Sequence, residues 1–143
     1  MRVNERKLSF ILASILIAAC AFQVSHTYKL YSGPERSAEE IATLDLSGVD
    51  VITVDGLNVK RMDYARVQLF PGEHRITSAK EFGFSVLVEP SMHGRFERIL
   101  EVNLEAGKVY KVIGDRTTGH GYQIFFWIEE ANSGEVVAGE KKP

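Results

Sequence analysis

A single cysteine, Cys20, stands in this chain of 143 residues, and its surroundings decide what its thiol can do. Arg2, Arg6 and Lys7 come first, then an apolar run over residues 8–19, with small residues directly before the sulfur. A basic start, an apolar middle and a small-residue cut site make the layout of a secretory leader. The apolar run is about a dozen residues, where a membrane-spanning helix needs about twenty. The stretch therefore reads as a leader to be removed. The rival reading, a buried cysteine without chemistry, does not explain why the residue follows two alanines at the end of an export signal.

The other chemistry-bearing residues do not gather along the chain. His26, His74, His93 and His120 show none of the His-x-x-x-His or Glu-x-x-His spacings that bring two ligands to one metal. No Gly-x-Ser-x-Gly elbow and no phosphate-binding glycine loop is present. Asp55 stands before Gly56, where turn preference alone accounts for it. Glu97, Glu101 and Glu105 share one strand face with Asn103 and read as its solvated side; Glu129 and Glu130 read the same way. His120, between Gly119 and Gly121, reads as a solvated loop residue. The expectation is no catalytic residue, no metal, and no cofactor beyond a covalent lipid. Within residues 122–128, Ile124, Phe126 and Ile128 fall on one face, with Phe125 and Trp127 on the other. Such a strand is either central and covered on both faces or leaves Phe125 and Trp127 as a contact surface. We take those two rings as the candidate interaction surface.

Ile17-Ala18-Ala19-Cys20 resembles a bacterial lipobox, the motif read by the lipoprotein signal peptidase. The resemblance implies that residues 1–19 are removed as a signal peptide and that Cys20 is diacylated on sulfur. Cys20 would then become the new N-terminus and be acylated again on its amine. A single acyl chain holds a membrane marginally and several hold it firmly, at about 0.8 kcal/mol per buried methylene. The next residue is Ala21 rather than aspartate, which by resemblance to enterobacterial sorting rules implies the periplasmic face of the outer membrane.

The elements that must carry any site lie in the mature part. It keeps 14 basic and 18 acidic residues, a balance that argues against nucleic acid as a partner, since that needs a basic patch to displace counterions. With Cys20 lipidated no disulfide is possible, so a hydrophobic core alone must hold the fold. Residues 20–33 read as lipidated cysteine and tether, and residues 34–143 as one domain. Ser37 with Glu40 is a capping-box spacing, from which we expect a short helix over residues 37–43. Beyond it the pattern is β. Residues 51–54 form a strand that Asp55-Gly56 turns, and residues 66–70 alternate before Pro71-Gly72. Residues 74–77 and 82–88 read as two further strands. Residues 96–105 alternate most clearly, and strands follow over residues 109–113, 122–128 and 135–138. Seven or eight short strands with turns between them indicate an all-β fold, an antiparallel β-sandwich or open barrel.

Three phrases, Val54-Asp55-Gly56, then Leu69-Phe70-Pro71-Gly72-Glu73-His74-Arg75-Ile76, then Ala106-Gly107-Lys108-Val109-Tyr110, resemble the strand-and-turn phrasing of PEGA-type domains. The chain is also similar to small envelope lipoproteins that carry Gly33-Pro34-Glu35-Arg36, Trp127-Ile128-Glu129 and Ser133-Gly134-Glu135-Val136-Val137. The Gly-Thr-Pro step that PEGA modules place after the Asp-Gly turn is absent. These resemblances imply a β-sandwich module on an envelope protein. Sequence reasoning thus leads to a non-enzymatic, membrane-anchored structural or adaptor module that binds an envelope protein or the cell wall. The alternative is a periplasmic enzyme or small-ligand carrier whose site forms near residues 114–121 from Asp115, Arg116, His120 and Tyr122.

Overall fold

The structure, a computed structural model, describes residues 27–59, 66–83, 93–117 and 123–143. Ile17, Ala18, Ala19, Cys20, His120 and Tyr122, and the expected strand continuation over residues 84–88, lie outside the described residues. Among the described residues there are ten strands: β1 (Thr27–Lys29), β2 (Ala42–Gly48), β3 (Asp50–Val54), β4 (Leu57–Asn58), β5 (Arg66–Leu69), β6 (Gly72–Gly83), β7 (His93–Leu104), β8 (Val109–Arg116), β9 (Ile124–Glu130) and β10 (Val136–Gly139). They form a six-stranded sheet, ordered β1-β5-β2-β8-β9-β10, and a four-stranded sheet, ordered β4-β3-β6-β7. The two sheets pack face to face as an all-β sandwich.

Period-two alternation sets which side chains fill the space between the sheets. On β7, Leu100, Val102 and Leu104 are buried while Glu101 and Asn103 are exposed. Ile76 and Val54 join them from the four-stranded sheet; Ala42, Leu44, Val67, Leu69, Tyr110, Val112, Phe126 and Ile128 meet them from the other. β6 and β7 pair without a break from Gly72↔Leu104 to Gly83↔His93. The stretch read as two strands is one long strand through Gly83, because nothing between Thr77 and Phe82 interrupts the ladder.

Three expectations change. Ser37 and Glu40 make their capping contacts, the Ser37 N–H and hydroxyl both donating to Glu40 Oε2 at 3.1 Å, but no helix follows among the described residues. Ile41 and Ala42 are 1% and 0% exposed, and Thr43 N–H donates to the Lys108 carbonyl at 3.0 Å. One turn of helix buries far less than a strand inside a sheet, so the chain leaves the turn for β2. Residues 27–29, read as tether, instead add β1 to the edge of the larger sheet. Two pairings, β1·β5 and β2·β8, are parallel, so the sandwich is mixed rather than purely antiparallel. β2 and β8 run the same way because the chain crosses through the whole smaller sheet between them, and long crossovers permit parallel neighbours.

Register gives the sandwich two distinct ends. At one, β5 ends beside the start of β2 (Leu69↔Ala42), β2 beside the start of β8 (Thr43↔Val109), and β6 begins opposite the end of β7. The turns at 55–56, 70–72 and 105–108 gather there, and we call it the turn end. At the other, β6 meets β7 at Gly83↔His93 and β8 meets β9 at Arg116↔Ile124; β1 and β5 begin together (Thr27↔Arg66) partway between the ends, level with Asp45 and Lys111.

Candidate functional site at the turn end

The β3–β4 connection is the two-residue turn expected from Asp55-Gly56, with φ of +51° and +78°. Positive φ at both central residues is the mirror-image turn that matches strand twist. Asp55 reaches it without glycine because its carboxylate is held on the next strand. Asp55 N–H donates to the Arg75 carbonyl at 2.8 Å, and Arg75 N–H donates to Asp55 Oδ1 at 2.8 Å. Its second oxygen, Oδ2, lies 2.6 Å from His74 Nδ1. The other ring nitrogen, Nε2, lies 2.7 Å from the Phe70 carbonyl oxygen.

Both ring nitrogens of His74 face acceptors, the Asp55 carboxylate and the Phe70 carbonyl. His74 is thus a clamp: it ties the β3–β4 turn to the β5–β6 turn, and so one sheet to the other. Its side chain is 12% exposed while that of Asp55 is 45% exposed. Both ring nitrogens are engaged within the protein rather than open to a substrate. The contact with Asp55, 19 positions away, had no signal in the spacing.

Three hollows meet at Asp55. The first, about 440 Å³, is lined by Asp55, Glu73, His74, Arg75, Glu101, Val102 and Asn103. A second, about 530 Å³, lies across Arg75 and reaches Thr53, Thr77 and Ile99. The third, about 310 Å³, opens between residues 30–32 and the Asp55 turn, with Val54, Leu57, Leu69, Phe70 and His74 completing its wall. Leu57 and Phe70 are 56% and 43% exposed, and Tyr31 packs its ring on Phe70 with centroids 5.0 Å apart. Among the described residues no group of three His, Cys, Asp or Glu side chains converges as metal ligands.

The aromatic pair proposed from sequence lies elsewhere and is not exposed. Phe125 is 3% and Trp127 is 6% exposed, so the reading of these rings as an open contact surface is corrected. β9 lies between β8 and β10, which flank both rings within the sheet. The C-terminal tail adds to this: Trp127 Nε1–H donates to Glu129 Oε2 at 3.0 Å, Lys141 Nζ donates to the same oxygen at 2.9 Å, and that ammonium stands 6.0 Å from the indole centre. Lys141 and Trp127 together hold the Glu129 carboxyl below its ordinary range.

The alternative site near residues 114–121 is described only in part. Asp115 accepts from the Arg116 N–H at 2.8 Å and from Lys142 Nζ at 3.3 Å. These contacts, the Arg116 N–H foremost, hold its carboxyl below the usual range. An ionised carboxylate tied to the tail is an anchor for that tail rather than a proton acceptor. At the turn end Glu130 plays the matching part, accepting from Asn132 and Ser133 N–H at 3.0 and 2.9 Å. Ser133, through its hydroxyl first, and then the Asn132 N–H lower its carboxyl. Compared with models of protein families, with curated proteins and with solved structures, the chain matches none.

Proposed function

We propose that this chain is a non-enzymatic, lipid-anchored module of a bacterial envelope that holds a binding surface away from its membrane. The observation that carries this is the direction of the chain. β1 begins partway along the larger sheet, level with Asp45, and runs toward the turns, and Cys20 stands seven positions before Thr27. A tether that continues the line of β1 leads away from the turns, so that the Asp55–His74 cluster faces outward from the anchor. The occupied nitrogens of His74 support a binding role over acid–base catalysis.

Labelling cells with an alkyne fatty acid tests the anchor. The wild-type chain should take the label and fractionate with membranes, and Cys20→Ser should do neither. Equal labelling of the two would end the anchored reading. The adaptor role and the outer-membrane location are part of the same proposal, resting on Ala21 and on the similarity to PEGA-type modules.

A further inference from the structure

The 310 Å³ hollow at the turn end is built differently from the solvated sheet faces beside it. Val54 and Leu69, 1% and 2% exposed, belong to the core and also line this hollow. Core side chains therefore form the floor of this hollow, between the end of β1 and the β3–β4 turn. Leu57 and Phe70, among the most exposed large apolar side chains described, stand at its walls. A volume at the lower end of ligand-sized sites suits one large side chain better than a free metabolite.

The charge around it is uneven. Asp55 borders the hollow, and Glu73 and Glu101 follow in the adjoining one, where Arg75 is the opposing cation and His74 is engaged by Asp55 and Phe70. Glu73 and Glu101 make no ion pair with a described residue. The mature chain as a whole carries four more acidic than basic residues. An apolar socket beside an acidic hollow complements an apolar anchor with a cation next to it.

We propose that this hollow docks a partner polypeptide by one large apolar side chain, aromatic or branched, with lysine or arginine beside it. The proposal deepens the binding-module reading and rests on it. It does not depend on lipidation, which the fatty-acid label reads separately.

The test is selection of random peptides displayed on phage against the full chain, purified in a non-ionic detergent. Enriched peptides should pair an aromatic or branched apolar residue with Lys or Arg within two positions. Leu57→Ser should weaken a synthetic copy of the winning peptide about tenfold, as expected for loss of one anchor contact. Glu73→Gln should weaken it about threefold, and added salt should remove that second difference. Both variants should unfold at the wild-type urea midpoint, which separates a lost contact from a lost fold. No enrichment, acidic winners, or binding indifferent to Leu57→Ser with the fold intact would each overturn the proposal.

Discussion

β9 and the turn end both carry large apolar side chains, and the sandwich treats them in opposite ways. Phe125 and Trp127 lie inside the sheet between β8 and β10 and are nearly closed to solvent. Leu57 and Phe70 lie at the two-residue connections 55–56 and 70–71, and both are exposed. The difference is one of place in the topology rather than of hydrophobicity. A central strand has neighbours on both edges and gains by covering both faces. A turn has to spread its backbone, and a side chain there stays exposed unless another segment is folded over it.

Truncation separates the two regions most strongly. Trp127→Ala should cost about 3 to 5 kcal/mol of stability, the range for a large buried aromatic side chain, seen as a lower urea midpoint. Leu57→Ser should lie within about 0.5 kcal/mol of wild type, as exposed positions do. Equal losses would erase the distinction.

Gly139→Ala tests how the tail is held beside Trp127. Gly139 has φ +79°, and a Cβ there would clash with the Phe126 carbonyl oxygen and sit 2.9 Å from Trp127 Cα. Backbone must move, at a cost of about 2 kcal/mol, and the Lys141 and Lys142 contacts should loosen with it. Faster amide exchange at residues 139–142 would register the loosening; unchanged exchange would mean that the tail is fixed by something else.

At the turn end, His74→Ala removes two hydrogen bonds, one of them charge-assisted, from a side chain 12% exposed. The expected loss is about 1.5 kcal/mol. His74→Lys should recover none of it, since a single ammonium does not span both acceptors in the plane of the ring.

The smallest effect is one of pH. The Glu130 carboxyl is held below its ordinary value of 4.5 by Ser133 and Asn132. A lowered folded-state value means that the folded chain releases this proton more readily than the unfolded one. The contribution is present above about 4.5 and is lost as pH falls through the lower, folded value. Glu130→Gln should therefore lower the melting temperature at pH 7 by more than at pH 3. An equal shift at both would show that the cap does not depend on charge.

Much of the fold was legible where local chemistry and topology agree. Asp55-Gly56 forms its turn, residues 100–104 alternate as expected, and the all-β class follows from such patterns. The short helix failed because the capping box at Ser37 and Glu40 is a local signal, and Ile41-Ala42 is drawn into the sheet by β5 and β8. β1 was missed because three residues at an edge leave little period to read; Ala42-Thr43-Leu44-Asp45-Leu46-Ser47 does alternate, but its first residues were taken into the helix expected from the capping box. The Phe125/Trp127 surface was misplaced because period alone does not say whether a strand is central. The His74–Asp55–Phe70 clamp joins residues far apart in sequence, and only the pairing of β3 with β6 brings them together.

β9 serves structure while the proposed contact lies at the turn end, and the chain offers a direct probe of the first half. Trp127 is its one tryptophan. Iodide quenching of the native full chain should leave its emission nearly untouched and blue-shifted, with quenching and a red shift appearing only on unfolding in urea. Emission quenched as readily in the native chain as in the unfolded one would place Trp127 in solvent and return the contact surface to β9.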